Sequence, residues 1–378
     1  MTTALPALLS SAPREAPSGT TYARARLRLG IACVGTLVVF STVLLGTGAP
    51  TALLPSSTSW ALTDAVWLVL LVVLYVGLSA PFDVLGGFLL PRRYGRPGGQ
   101  RRFARAWARG AAAHGACLVG VALVLLGAGR LAGDPAALAA AFLVALGLIA
   151  AQARLAGLVG GVRREGNRLS ASDPSFVGGI IGLPGLDRTM LSAAWDHETA
   201  HVQHLRRESV RRNGSRALGV ALALVFDLAG LTVALFATSA SATSVAGLAT
   251  LSLWATLWSF LGLLVLPSLS RRAVSAADLA AVRGGVDPVE LAQTLATLDA
   301  QQEDERQRNR LVEVVFHPVP SLNRRLCAIE RGDAPDQLQP WHTARTALFL
   351  SWVSLGLLSR AVHCNCGRPE LWALFPGD

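Results

Sequence analysis

The sequence contains no lysine. All 34 basic residues are arginine, set against 24 Asp and Glu, so the formal charge is +10. Charge of either sign is scarce: 15% of residues, where a soluble domain carries about 25%. With 52% hydrophobic residues and a mean hydropathy of +0.45, the composition argues against a soluble globular protein and excludes a disordered chain. Five cysteines in 378 residues make no disulfide framework, and Cys33 and Cys117 lie in apolar segments as small hydrophobes. There is no internal repeat and no glycine loop of the kind that cradles phosphate. The arginines cluster between apolar stretches, a pattern of membrane topology rather than of nucleic-acid binding.

What the sequence has in abundance is long apolar runs. A spanning helix needs about 20 apolar residues. About seven stretches qualify: 29–49, 61–80, 110–129, 136–159, 217–238, 245–267 and a shorter one at 343–359. The first is too long for the core of a signal peptide and lacks a clear cleavage site, so it is read as a span. The links alternate in character. The tail through Arg28, the link from Arg92 to Arg109, and the stretches 161–216 and 271–341 are rich in arginine; those near 50–60, 130–134 and 239–244 are neutral or nearly so. Arginine excess marks the cytoplasmic side. The stretches 161–216 and 271–341 are therefore expected in the cytoplasm and the C-terminal tail outside. The chain divides into a cytoplasmic tail 1–28, a four-span bundle 29–160, a region 161–341 interrupted by two spans, and a last span with its tail, 342–378. The expected fold class is an all-α multi-pass membrane protein with a small edge-strand element. Its partners would be membrane lipid and polypeptide, with no nucleic acid.

The most specific short motif is His197-Glu198-Thr199-Ala200-His201. Residues i and i+4 share a helix face, so His197 and His201 are candidate zinc ligands and Glu198 the candidate general base on a zinc-bound water. Residues 193–212 lack proline and glycine and favour a helix. Around this motif stand Pro81-Phe82-Asp83 through Pro91-Arg92-Arg93-Tyr94-Gly95, a strand-like run 178–183, Ser270-Arg271-Arg272 through Ala277-Asp278, and His317-Pro318 before Arg324 and Arg325. In this order around these spans, over about 30–332, the set resembles the integral-membrane zinc metallopeptidases of the CAAX prenyl protease and heat-shock membrane protease family.

The resemblance implies a helical membrane bundle with a cytoplasmic gluzincin-like zinc site. It also implies an edge strand, here 178–183, that holds an extended polypeptide by backbone pairing. His317 would correspond to the histidine that stabilises the substrate oxyanion, and Arg324 or Arg325 to the arginine after it. Asp278 would stand behind the metal ligands and orient them, or stand in as the third ligand. The sequence departs from the pattern at three points. The third-ligand glutamate position holds Val274, and the asparagine position before the strand glycine holds Val177. The link from Gly182 to His197 is short, and alignment by distance from the spans puts the zinc motif instead on Arg207-Glu208-Ser209-Val210-Arg211, where arginine cannot bind metal.

Two main readings follow: a zinc metalloendopeptidase acting on membrane-associated or misfolded polypeptides, and an inactive pseudoprotease acting as scaffold or peptide binder. Asp64 and Asp227 fall inside spans, where carboxylates are functional candidates, so a transporter-like bundle using Asp227 is a third. His204, at i+7 from His197, lies too far along the helix to join both other imidazoles easily. The tail His363-Cys364-Asn365-Cys366 has three metal-binding side chains, two thiols and one imidazole, one short of a tetrahedral site.

Overall fold

The apolar runs form helices because no water is available to their backbones, and the helix satisfies every peptide group internally. A computed structural model describes residues 21–96, 98–238, 240–302, 304–332, 338–362 and 365–373. Five helices among the described residues are long and apolar enough to cross a membrane. They are α1 (Tyr22–Gly46), α2 (Leu62–Val84, prolonged to Arg93), α3 (Gln100–Leu155, prolonged to Gly160), α5 (Ser215–Ala237) and α6 (Val245–Val265). Helix α3 has two arms. It breaks at Ala132 and Gly133, the latter at φ +77°. A Cβ on Gly110 would lie 3.0 Å from the Val159 carbonyl, so the two arms run back to back. The expected spans 110–129 and 136–159 are these arms.

One end of the bundle is closed by three loops. Arg130 pairs with Asp64 at 2.6 Å and donates to the Thr243 and Ser57 carbonyls. Asp134 accepts from Ser241 Oγ and the Ala242 amide. The opposite end carries the arginine-rich segments. There Arg24, at the start of α1, pairs with Glu305. A small sheet sits at this end, with β1 (Arg163–Glu165), β2 (Arg168–Ser170), β3 (Gly178–Ile181) and β4 (Arg188–Ser192) in the order β1-β2-β4-β3. Helix α4 (His197–Arg212) leads from the sheet into α5. After α6 come α7 (Pro267–Arg283), α8 (Pro288–Gln302), α9 (Arg310–Phe316) and α10 (Leu322–Arg331).

The run expected as a seventh span, 343–359, takes a different course. Helix α11 (Thr343–Leu350) continues into a 3₁₀ turn, Ser351–Ser354, and the chain reverses at Leu355, φ +61°. At the turn Ser252 Oγ donates to the Leu355 carbonyl and Tyr75 Oη to that of Leu357. The chain then returns past Asp83, which accepts from Arg360, Trp107 and the Gly367 amide. It finishes against the sheet end, where Gln152 donates to the Ala373 carbonyl. Tyr75 and Asp83 stand about 12 Å apart along α2, so the segment enters the bundle, turns at that depth and leaves by the same end. The described tail residues thus lie at the sheet end, opposite the side expected for them. Trp341, Trp352 and Trp372 are fully buried. An apolar run surrounded by protein on all sides reads like a span in composition.

Candidate functional site

Helix α4 starts where Asp196 caps it, its carboxylate accepting from the Thr199 amide at 2.8 Å. His197 and Glu198 therefore occupy the first turn. The buried face of α4 carries Thr199, Ala200, Val202, Gln203, Arg206, Arg207 and Val210. His197, Glu198, His201 and His204 are on the other, exposed face. The His197 and His201 rings lie parallel with centroids 6.4 Å apart, as i and i+4 require. Among the described residues no group of three His, Cys, Asp or Glu is disposed to hold a metal ion. The helix N-terminus also carries positive partial charge, which opposes a cation there. Two exposed imidazoles at that position do not fit a three-ligand zinc site. His363 and Cys364 lie outside the described residues.

The place where the resemblance puts the metal is the contact between α4 and α7, which run antiparallel. Val210 and Val274 pack together with Ile180, Ala273, Ala277 and Trp341. His201 precedes Val210 by nine residues, about 13 Å along the helix, so the histidines and the third-ligand position are not brought together. Beside Val274, Asp278 is enclosed by two guanidiniums. Arg206 Nε donates to it at 2.8 Å and Arg325 Nε and Nη2 each at 2.8 Å, while Arg206 Nη1 reaches Gln203 at 2.8 Å. Asp278 and Arg206 are fully buried and Arg325 nearly so. Arg325 is thus a partner of Asp278. Arg324 is partly exposed and pairs with Glu313 at 3.4 Å.

Arg207 sits fully buried one residue on. It donates to the Met190 and Val177 carbonyls at 2.9 Å and lies over the Trp195 ring. It joins β4 to the chain entering β3. Glu208 accepts from Arg211 and Arg212, and these bonds outweigh burial to bring its carboxyl down to about 2. The guanidiniums in this register therefore serve as structural donors.

The expected substrate strand is real but covered. All of β3 is buried. It pairs with β4 from Gly178–Leu191 to Ile181–Arg188. Gly178 has φ +68°, and a Cβ there would lie 2.3 Å from the Met190 carbonyl. The returning C-terminal segment packs beside it. Arg368 pairs with Asp173, Ser172 donates to Glu370, and Leu371 and Ala373 join the apolar cluster of Phe176 and Ile181.

His317 lines a separate cavity of about 110 Å³, together with Arg26, Asp304, Arg308, Arg345 and the Val177–Gly178 edge. Neither His197, Glu198 nor His201 lines it. Burial, followed by Arg308, drives the His317 imidazole down to about 4, with Arg345 and Arg26 acting the same way and Asp304 opposing. His317 is accordingly neutral at pH 7. Within the membrane, Asp64 is held by Arg130. Asp227 is buried on α5, and its Oδ2 has no hydrogen-bond partner. Sequence reasoning missed Arg206, Arg308 and Arg345, and named Arg207 only as a displaced motif position. Arg206 and Arg207 stand at i+4 and i+5 from Val202, on the face that also carries Ala200 and Val210, which was the available signal.

No family model matches the chain, and no curated protein is detectably similar to it.

Proposed function

We propose that the chain is a catalytically silent membrane scaffold laid out on a metallopeptidase-like plan, its arginine-rich end in the cytoplasm. One observation carries this reading: the Arg206–Asp278–Arg325 cluster, with Val274 beside it, fills the α4–α7 contact where a gluzincin would hold its metal. A buried carboxylate whose charge is already met by two guanidiniums is a poor zinc ligand, because a cation there would stand against two fixed positive charges. The orientation rests on the excess of arginine at the sheet end. The strand that would hold a polypeptide substrate is buried, with the C-terminal segment tied to the chain just before it, which agrees with a scaffold rather than a protease. Polypeptide partners would meet the outer surface of this end instead.

The test is zinc content of the detergent-purified full chain beside H197A/H201A, with cleavage of a membrane-anchored reporter followed in parallel for wild type and Glu198→Gln. The expected result is far less than one zinc per chain and no cleavage difference between wild type and Glu198→Gln. About one zinc per chain, lost in the double variant together with cleavage, would overturn the reading and restore the peptidase.

A further inference from the structure

The His317 cavity does not end at the polar residues. It shares Leu27 and Arg345 with a second cavity, an apolar groove of about 280 Å³ between α1 and α6. The groove is walled by Ile31, Val34 and Gly35 of α1 and by Phe260, Leu263 and Leu264 of α6. Ile31 and Leu264 are 43% and 41% exposed, so it opens on the lipid-facing surface. It starts at the sheet end of both helices, next to the arginines, and runs into the adjoining leaflet. Polar pocket and apolar groove together form one amphipathic site, with Arg345 at the junction.

The charge of the polar part favours an anion. Among the described residues four arginines line it, Arg24, Arg26, Arg308 and Arg345, against Asp304, Glu305 and Glu370. Two of those carboxylates are already ion-paired, Glu305 with Arg24 and Asp304 with Arg308, while Arg26 also donates to the Gln302 carbonyl and Arg308 to that of Val319. Arg308 is buried, and its Nε has no hydrogen-bond partner. The neutral His317 imidazole lines the pocket without adding charge. At this depth the apolar groove can be filled only by hydrocarbon.

We propose that this composite site binds an anionic phospholipid of the surrounding leaflet, its phosphate among Arg26, Arg308 and Arg345 and one acyl chain in the α1–α6 groove. The site is independent of whether the chain is a peptidase.

The experiment is native mass spectrometry of the full chain in detergent, titrated with dioleoyl phosphatidylglycerol, dioleoyl phosphatidylcholine or inorganic phosphate. Two variants separate headgroup from chain. Arg345→Gln removes a charge-assisted donor, worth on the order of tenfold or more in affinity. Gly35→Leu fills the groove, and a Cβ at Gly35 meets nothing within 4 Å, so it leaves the fold intact. The expected result is binding of phosphatidylglycerol at least roughly tenfold tighter than phosphatidylcholine, weakened by both variants. Equal binding of the two lipids would overturn the proposal. So would phosphatidylglycerol binding unchanged in Gly35→Leu, or inorganic phosphate displacing the lipid completely, which would mark a pocket for free anions.

Discussion

Replacing Asp278 by asparagine leaves the shape of the α4–α7 contact intact and removes its one negative charge. Arg206 and Arg325 then face each other with a neutral amide between them, fully or nearly buried. The wild-type carboxylate accepts from Arg206 Nε at 2.8 Å and Nη2 at 2.7 Å, and from Arg325 Nε and Nη2 at 2.8 Å each. Removing one member of a buried ion cluster costs about 3–5 kcal/mol, mostly for stranding the remaining charge. In thermal unfolding of the purified chain that corresponds to a midpoint roughly 4–6 °C lower. Exposed His197 and His201 have no such network, and H197A/H201A is expected to stay within about 0.5 kcal/mol of wild type. An apolar replacement of the whole cluster, Arg206→Met, Arg325→Met and Asp278→Leu together, should recover most of the loss, because neither charge is then stranded. The reasoning is refuted if Asp278→Asn unfolds with the wild-type midpoint, or if H197A/H201A destabilises more than Asp278→Asn does.

Two groups, buried His317 and half-buried Asp299, should offset each other in acid. His317 has its pKa depressed from 6.5 to about 4, so its contribution is complete above pH 6.5 and lost as pH falls toward 4; burial and the Asp304 carboxylate raise Asp299 from 3.8 to about 6, so its contribution is complete below pH 3.8 and lost as pH rises through 6. Each effect is about 3 kcal/mol, so thermal midpoints from pH 6.5 to 4 should be nearly flat in wild type, rise on acidification in His317→Gln, and fall in Asp299→Asn; parallel profiles in all three would contradict the assignment. A Cβ on Gly219 would lie 2.1 Å from the Trp341 carbonyl, whereas one on Gly147 meets nothing within 4 Å. Gly219→Ala should therefore loosen the re-entrant segment and open Arg360 to trypsin, with Gly147→Ala as resistant as wild type; equal resistance would show that α5 does not hold the segment.

Much of the architecture was legible in the sequence because apolar length and turn chemistry report it directly. The runs at 29–49, 61–80, 217–238 and 245–267 correspond to α1, α2, α5 and α6. The strand-like run 178–183 corresponds to β3, which ends two residues earlier, at Ile181. The run at 343–359 shows what apolar length leaves open. A segment enclosed by protein and a segment enclosed by lipid need the same composition, and only the tertiary hydrogen bonds of Leu355 and Leu357 reveal the reversal. At the candidate site the motif His197–His201 drew attention through its spacing, but spacing specifies a shared face and not which face is buried. That choice was made by Val202, Arg206 and Val210 packing inward, against an instinct to place arginine outside. Val274 and Val177 were visible departures, and the packing of Val210 on Val274 points in the same direction as the distance of the motif from α5.

The absence of lysine acquires a structural meaning once the buried arginines are placed. Arg207 bonds the Met190 carbonyl on β4 and that of Val177 just before β3, Arg130 the Ser57 and Thr243 carbonyls of two loops and the Asp64 carboxylate of α2, and Arg271 the Glu313, Val314 and His317 carbonyls at the end of α9. A guanidinium offers five donors in a fixed plane and keeps its charge when buried; an ammonium offers three from one point and loses its proton more readily. Segments that leave the bilayer and return, or meet it at an angle, expose carbonyls that no helix or sheet partner satisfies. In this chain arginine meets that need repeatedly. Around His317 the same chemistry recurs: Arg26 donates to the Gln302 carbonyl and Arg308 to that of Val319, so the rim of the polar pocket is built from guanidiniums that already hold backbone where it meets hydrocarbon.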